Sequence, residues 1–251
     1  MTNSNVSLDD KYSIESGRIF VTGVQALARI PMVQRQRDVL EGLNTAGFIS
    51  GYRGSPVGGF DQQLWRAKKF LEQNHIRFQP GLNEDLAASA IWGSQQTNLH
   101  EGGKYDGVFA IWYGKGPGVD RCGDVFKHGN MSGPAKHGGV LLIAGDDHAA
   151  KSSTVPHQSE YAFMDASIPV LNPAGLQDIV DYGILGFAMS RFSGCWVAFK
   201  TTAENMDSSA SIDVSPDRVK ISLPEFDMPE GGLSIRWPDD WIEQEHRLHQ
   251  Y

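Results

Sequence analysis

Cysteine is scarce in this sequence of 251 residues, which contains only Cys122 and Cys195. The two lie far apart and fit no zinc-ligand spacing. Because an iron–sulfur cluster is usually held by four thiolates, this chain cannot ligate one alone. We expect both thiols to be reduced, as they are in a reducing compartment.

Long apolar runs are also missing. Nothing in the sequence approaches the roughly 18 consecutive apolar residues that a membrane helix needs. The N-terminal segment, MTNSNVSLDDKYS, is polar and lacks the apolar core of a secretory signal. We therefore predict a cytoplasmic protein with no membrane partner.

Basic residues are in deficit, since 22 Lys and Arg against 30 Asp and Glu give a formal net charge of −8. This charge argues against electrostatic binding of nucleic acid or anionic lipid. The content of 40% hydrophobic and 21% charged residues is ordinary for a soluble globular protein. The length suits one large domain, or one domain with an extension.

Three common catalytic motifs are absent. The segment GKGPGV (114–119) has a valine where a dinucleotide fingerprint needs its third glycine. The segment GPAK (133–136) lacks the glycine before and the Ser/Thr after the lysine of a P-loop, and no G-x-S-x-G elbow occurs. These absences weigh against a nicotinamide dehydrogenase, a P-loop NTPase and an α/β-hydrolase.

Strand and helix patterns instead alternate along most of the chain. A short strand and a helix are expected within 19–45. Further strands are expected at 47–52, 76–81, 105–113, 138–147, 168–173 and 195–202, and helices at 60–74, 83–99, 119–133 and 175–194. Such alternation predicts parallel βαβ units with right-handed crossovers. The predicted fold class is therefore α/β, with a doubly wound, mostly parallel sheet.

In such sheets, ligands bind beyond the carboxyl ends of the strands. Four expected strands end in segments rich in glycine or polar residues. These are RGSPVGG (53–59), LNED (82–85), GKGPG (114–118) and GDDHAAKSS (145–153). We expect these segments to form a binding edge.

The composition also suggests three regions. Residues 1–18 are expected to be a flexible arm, residues 19–205 the α/β domain, and residues 206–251 an extension. Proline and acid content rise in the extension, and a capped helix over 237–251 has no stop signal. We therefore expect a fragment, or a subunit, of a longer architecture with further C-terminal domains.

Histidines near the expected strand ends raise the question of a metal. His128, His137, His148 and His157 match no established zinc spacing. We therefore predict no metal site, and polar loop residues that position a ligand are the favoured reading. The roles of His128, His137, His148 and Lys151 stay open.

Glu84 lies where an expected strand gives way to a helix, directly after Asn83. An acid here can simply be stabilised by the helix dipole, by about 0.3–1 kcal/mol. From its position alone, this structural reading of Glu84 is favoured over a functional one.

Several long segments, taken together and in order, carry a resemblance to a known family. They resemble the N-terminal part of the fused indolepyruvate ferredoxin oxidoreductases, which are thiamine-diphosphate-dependent 2-oxoacid:ferredoxin oxidoreductases. The resemblance covers about residues 19–251. It rests on GYRGSPVGGFD, NEDLAASA, WYGKGPGVDRCGDVFKHGN and GDDHAAKSSTVPHQSEYAF.

This resemblance implies that the chain is the domain that binds the aminopyrimidine ring of thiamine diphosphate. In the family, a glutamate after the second strand bonds the ring nitrogen, and Glu84 matches it. That bond favours the imino tautomer, whose exocyclic nitrogen takes the proton from the thiazolium carbon. The resemblance thus makes Glu84 the expected catalytic and cofactor-binding residue.

The resemblance also assigns roles to the first and fourth loops. Family members carry a Tyr-x-x-(Thr/Ser)-Pro motif whose hydroxyl faces the substrate carboxylate, and Tyr52, Ser55 and Pro56 match it. Gly54, Ser55 and Pro56 are expected to bind the cofactor, and Ser55, Arg53, Ser152 and Ser153 the substrate. Arg53 can add charge there or can equally be an exposed loop cation. Lys115 and Arg121 can contact an anion, with solvated surface as the default.

Other parts of the family's machinery have no counterpart here. No segment resembles the one that holds Mg²⁺ and diphosphate, and the cysteines of the 4Fe–4S clusters are absent. The resemblance implies that absent domains or a partner subunit carry both, that the assembly is a dimer, and that ferredoxin and coenzyme A are its partners. The chain alone is therefore expected to be inactive.

The implied reaction is the oxidative decarboxylation of an aryl 2-oxoacid, indolepyruvate, to an acyl-CoA with ferredoxin as electron acceptor. Two alternatives stay open. One is a non-catalytic binding or regulatory module of the same fold, and the other is a component of a thiamine-dependent decarboxylase.

Overall fold

The computed structural model describes residues 6–251. Its strands are β1 Arg18–Thr22, β2 Ala46–Gly51, β3 Ile76–Phe78, β4 Val108–Lys115, β5 Val140–Gly145, β6 Val170–Leu171, β7 Val197–Thr201 and β8 Ser209–Asp213. Its helices are α1 Asp10–Ser13, α2 Gly23–Leu40, α3 Phe60–Arg66, α4 Lys68–Gln73, α5 Glu84–Gln95, α6 Gly116–Arg121, α7 Gly123–Ser132, α8 Glu160–Asp165, α9 Leu176–Ser193, α10 Ala203–Met206 and α11 Trp241–Gln250. Within residues 6–251, no helix combines the length and apolarity needed to cross a membrane.

The central sheet has six strands in the order β3-β2-β4-β5-β7-β6, and each neighbouring pair is parallel. Helices lie between successive strands along the chain, as right-handed βαβ connections require. The predicted α/β class with a mostly parallel, doubly wound sheet is therefore confirmed.

The two faces of this sheet bury two separate cores. Along β4, Ile111 and Tyr113 face the core that α2, α3 and α9 cover, whereas Trp112 faces the core under α5 and α7. This alternation follows from the two-residue period of a strand. Because both faces are covered, β4 and β5 are buried almost throughout, which explains their continuous apolar sequences.

Some expected elements differ from those in the structure, and the helix expected at 119–133 is divided at Cys122 into α6 and α7. The helix expected at 60–74 is interrupted at Ala67, which separates α3 from α4. The loop expected at 114–118 is instead the end of β4 followed by α6, because Pro117 occupies a position at the start of a helix that favours proline.

A second, two-stranded sheet joins a strand that precedes the central sheet in sequence to one that follows it. β1 pairs with β8 in antiparallel register, Arg18 opposite Asp213. Strand β8 lies within the expected extension, where no strand pattern was recognised. Before β1, the Tyr12 side chain is 5% exposed and its hydroxyl donates to Gln63 Oε1 at 2.8 Å. Residues 1–5 of the expected flexible arm lie outside the described residues, and the domain boundaries remain predictions.

Candidate functional site at the carboxyl edge of the sheet

The carboxyl ends of the parallel strands bring the four predicted loops together. A Cβ on Gly54 would lie 2.8 Å from Lys115 Cβ, so the loop after β2 contacts the end of β4. A Cβ on Gly145 would lie 3.0 Å from Pro56 Cδ, so the same loop also contacts the end of β5. These close approaches explain why glycine occupies both positions.

Glu84 is the first residue of α5 and lies at this edge. Asn83 caps the helix, since its side-chain oxygen accepts from the Leu86 N–H at 2.8 Å. The Trp112 indole N–H donates to the Glu84 carbonyl at 3.0 Å and ties the main chain to β4. The Glu84 side chain is 15% exposed, so its carboxylate is partly shielded from water.

The neighbours of the Glu84 side chain come from α6. A Cβ on Gly118 would lie 2.5 Å from Glu84 Cγ, so glycine at this position lets the Glu84 side chain pack closely on α6. Arg121 Nη1 lies 3.7 Å from Glu84 Oε2, but the arginine side chain is 57% exposed. Burial, and then the charges of Asp85 and Glu84, raise the pKa of the Cys122 thiol beside them. This thiol is therefore protonated near neutral pH.

The loop after β2 presents polar groups to solvent. Tyr52, Arg53 and Ser55 are exposed, and Gly54 and Pro56 are partly buried. The loop begins with a hydrogen bond from the Tyr52 N–H to the Tyr113 carbonyl at 3.0 Å. A rigid strand end therefore carries an accessible hydroxyl and an accessible guanidinium.

Lys115, Asp147 and Ser152 connect the loops after β4 and β5. The Lys115 ammonium donates to the Ser152 carbonyl at 2.7 Å and to its hydroxyl at 2.8 Å, and lies 3.8 Å from Asp147 Oδ2. The Ser152 backbone N–H, at 2.8 Å from Asp147 Oδ2, is the largest cause that lowers the pKa of the Asp147 carboxyl. The neighbouring Ser153 is partly buried.

A second charged cluster, which sequence reasoning missed, surrounds Asp146. Lys200, which is 6% exposed, forms an ion pair with Glu160 and lies 3.7 Å from Asp146 Oδ2. The Ser159 N–H donates to Asp146 Oδ2 at 3.0 Å. The available signal was a lysine near the end of the apolar strand CWVAFKTT, since buried lysines need partners.

Two of the four histidines lie away from this edge. His128 stacks on Trp92, with ring centroids 6.1 Å apart, and His137 precedes β5 at the opposite, amino edge. His148 and His157 lie in the loop after β5. In the part of the chain that the structure describes, no group of three His, Cys, Asp or Glu side chains has the arrangement of a metal site.

Comparison with known proteins supports the fold. No family model matches this sequence, and no curated protein matches it. Among solved structures, the chain is similar to the 2-oxoglutarate:ferredoxin oxidoreductase from Magnetococcus marinus with 2-oxoglutarate, coenzyme A and succinyl-CoA bound, with a TM-score of 0.59 and 16% sequence identity. The match covers 82% of this chain but 33% of that one. At this identity the likeness establishes the fold, and the chain spans only part of the protein it matches.

Proposed function

We propose that this chain forms the aminopyrimidine-binding half of a thiamine diphosphate site in a 2-oxoacid:ferredoxin oxidoreductase of the indolepyruvate type. The whole enzyme would oxidatively decarboxylate an aryl 2-oxoacid to an acyl-CoA and pass electrons to ferredoxin. Support comes from the fold and from the segments that resemble this family. The observation that carries the proposal is the placement of Glu84 at the carboxyl edge of the sheet.

The surroundings of Glu84 fit an aminopyrimidine. Its carboxylate is mostly shielded, and Arg121, the cation that pairs with it among residues 6–251, is itself largely exposed. Such a carboxylate is available for a hydrogen bond with a protonated ring nitrogen. This bond is stronger when the acid is ionised. Thiamine diphosphate, when bound, supplies a nucleophilic carbon and an amino group that relays its proton. Glu84 would hold the proton at the ring nitrogen, while Gly118 leaves space for the acid.

The first loop suits the carboxylate of a 2-oxoacid. Ser55 offers a hydroxyl donor and Arg53 a guanidinium, both exposed at the same edge. Ser152, in the loop after β5, accepts a hydrogen bond from the Lys115 ammonium. We assign Ser55, Arg53, Ser152 and Ser153 to substrate binding, and Gly54, Ser55 and Pro56 to the cofactor.

The remaining machinery is assigned to another domain or subunit. Mg²⁺, the diphosphate contacts and the 4Fe–4S clusters would lie there, and we propose that the assembly is a dimer that uses coenzyme A and ferredoxin. Calorimetry of this chain alone should therefore show no tight binding of thiamine diphosphate. Tight binding without a partner would overturn the half-site assignment.

In the assembled enzyme, Glu84→Gln tests the central residue. Loss of the acid should lower kcat by about 10²–10⁴-fold, the usual contribution of general acid–base catalysis. Asp85→Asn is the matched control, since Asp85 is also an acid in the first turn of α5 and interacts equally with the helix dipole. Equal effects of the two substitutions would leave Glu84 with only a structural role.

Substrate class needs a separate measurement. Steady-state kinetics with indolepyruvate, pyruvate and 2-oxoglutarate should give the highest kcat/KM for indolepyruvate. A preference for 2-oxoglutarate would retain the family and overturn the aryl specificity. Decarboxylation without reduction of ferredoxin would instead favour a simple decarboxylase.

A further inference from the structure

His157 links two parts of the candidate site. Its side chain is 10% exposed, and Nε2 lies 2.8 Å from Asp120 Oδ2 on α6. Since a carboxylate only accepts hydrogen bonds, Nε2 must carry the proton of this contact. The other nitrogen, Nδ1, lies 3.6 Å from Asp146 Oδ1 and is buried without a hydrogen-bond partner among residues 6–251. The ring thus has one bond that holds it, and that bond goes to α6.

Packing adds a second contact with the same helix. A Cβ on Gly116 would lie 2.1 Å from His157 Nδ1, so the imidazole occupies the space above the first residue of α6. The main chain of His157 is also held, because its backbone N–H donates to the Asp147 carbonyl at 3.2 Å. His157 therefore holds α6 at both ends and joins it to the loop after β5.

The helix that His157 holds is the one that borders Glu84. Gly118 contacts the Glu84 side chain, and Arg121 lies 3.7 Å from its carboxylate. A shift of α6 would therefore move both neighbours of the acid. The Glu84 main chain would stay in place, since it is tied independently to Trp112 on β4.

We propose that His157 is a positioning residue, whose bond to Asp120 and packing on Gly116 hold α6 against Glu84. The consequence of this contact, which is the orientation of the Glu84 carboxylate towards a cofactor, rests on the proposed function. These contacts of His157 with Asp120 and Gly116, here called the clamp, involve only this chain and can be tested without any cofactor.

Hydrogen exchange of the full chain tests the clamp directly. His157→Ala should raise exchange of the Asp120, Arg121 and Cys122 amides about tenfold, because these are the amides that α6 hydrogen-bonds within the helix and α6 then opens locally more often. His148→Ala is the matched control, since His148 lies in the same loop, is exposed, and has its ion pair with Asp146 in that loop. Unchanged exchange in α6 for His157→Ala would overturn the proposal.

Two further variants separate a specific clamp from general destabilisation. Asp120→Ala should raise exchange in α6 less than His157→Ala, because the packing of His157 on Gly116 remains and the Asp120 side chain is 63% exposed. The double variant should add little to His157→Ala, because both substitutions remove the same hydrogen bond. His157→Gln retains an N–H donor and should restore part of the protection, and it carries the test if the alanine variant does not fold. Additive effects of the two alanine substitutions would overturn the clamp.

The consequence for the site is measured in the assembled enzyme. His157→Ala should weaken thiamine diphosphate binding about tenfold, while KM for the 2-oxoacid changes less than twofold. If α6 loosens but cofactor affinity is unchanged, the link between the clamp and Glu84 is wrong. If the wild-type assembly binds no thiamine diphosphate, the proposed function fails and the exchange result on the clamp still stands.

Discussion

The two edges of the central sheet each hold a charged network, and the two networks differ in how completely they are partnered. At the amino edge, Asp38 is fully buried and accepts hydrogen bonds from Gln34, Thr45 and both terminal nitrogens of Arg191. Arg191 also donates to the carbonyls of His137 and Gly138. The Asp38 carboxylate is thus satisfied within the chain.

The carboxyl edge lacks this completeness. His157 Nδ1 and Glu160 Oε2 are buried without hydrogen-bond partners among the described residues. Lys200 lies between two carboxylates, Asp146 and Glu160. Buried polar atoms are normally paired, so each exception needs an explanation. We therefore expect the Asp38 network to serve stability, and we propose that the carboxyl-edge network is available for a ligand.

The largest effect is therefore expected at the amino edge. Asp38→Ala would leave Arg191, Thr45 and Gln34 without their shared acceptor. Breaking a buried pair in this way should lower the free energy of unfolding by about 3–5 kcal/mol. Urea unfolding followed by tryptophan fluorescence measures it.

A double substitution gives the control for Asp38. Asp38→Leu with Arg191→Met removes both charges and fills the space with apolar groups. Because a buried pair gains little over well-packed apolar residues, the double variant should recover part of the loss, while Thr45 and Gln34 still lack their acceptor. A loss below about 1 kcal/mol for Asp38→Ala would show that the amino-edge network is not structural.

Lys200→Met removes one partner of the charged network at the carboxyl edge. It should lower the free energy of unfolding by less than Asp38→Ala does. The Glu160 side chain is 35% exposed and can turn to water, and Asp146 keeps its bonds from Ser159. We expect a loss of about 1–3 kcal/mol, the penalty for a single unsatisfied group. A loss equal to that of Asp38→Ala in the same urea experiment would erase the contrast between the edges.

Much of this architecture follows from the sequence. The order of strands along the chain and the edge where their loops meet could be predicted, because the alternation of apolar strands and helices is local. Glu84 could be located by resemblance, although its neighbour Gly118 could not be placed against it. That contact joins α5 to α6, which follow β3 and β4. It depends on the pairing of both strands with β2, which lies between them in the sheet.

The charged networks could not be predicted. Asp38 and Arg191 are 153 positions apart, and Lys200 and Glu160 are 40 apart. Neither spacing carries a local pattern, since the partners meet only after the sheet forms. The strand β8 was missed for the same reason, because its partner β1 lies near the other end of the described chain.

A smaller effect on stability is expected for Gly118→Ala, on α6 beside Glu84. Alanine gains up to about 1 kcal/mol over glycine in a helix, which offsets the close contact with Glu84 Cγ. Thermal unfolding should therefore change little, while thiamine diphosphate affinity of the assembled enzyme falls about tenfold. Gly123→Ala is the control, since a Cβ there meets no atom within 4 Å. Equal affinity for the two variants would contradict the role of Gly118.

The smallest effect concerns the pH dependence of Asp147, whose pKa lies below its usual 3.8 chiefly because of the Ser152 backbone N–H. A carboxyl whose pKa is lower in the folded state stabilises the protein when ionised in both states, above about pH 5. That contribution is lost as the pH falls below 3.8 through the folded pKa. Urea midpoints of the wild type and Asp147→Asn should therefore differ by a constant amount from about pH 5 to 7 and converge towards pH 3. Midpoints that diverge on acidification would mean that protonation, and not ionisation, of Asp147 stabilises the loop. In that case the carboxyl edge would hold a carboxylate that is poorly satisfied in its charged form, and the contrast with Asp38 would be greater than the hydrogen bonds indicate.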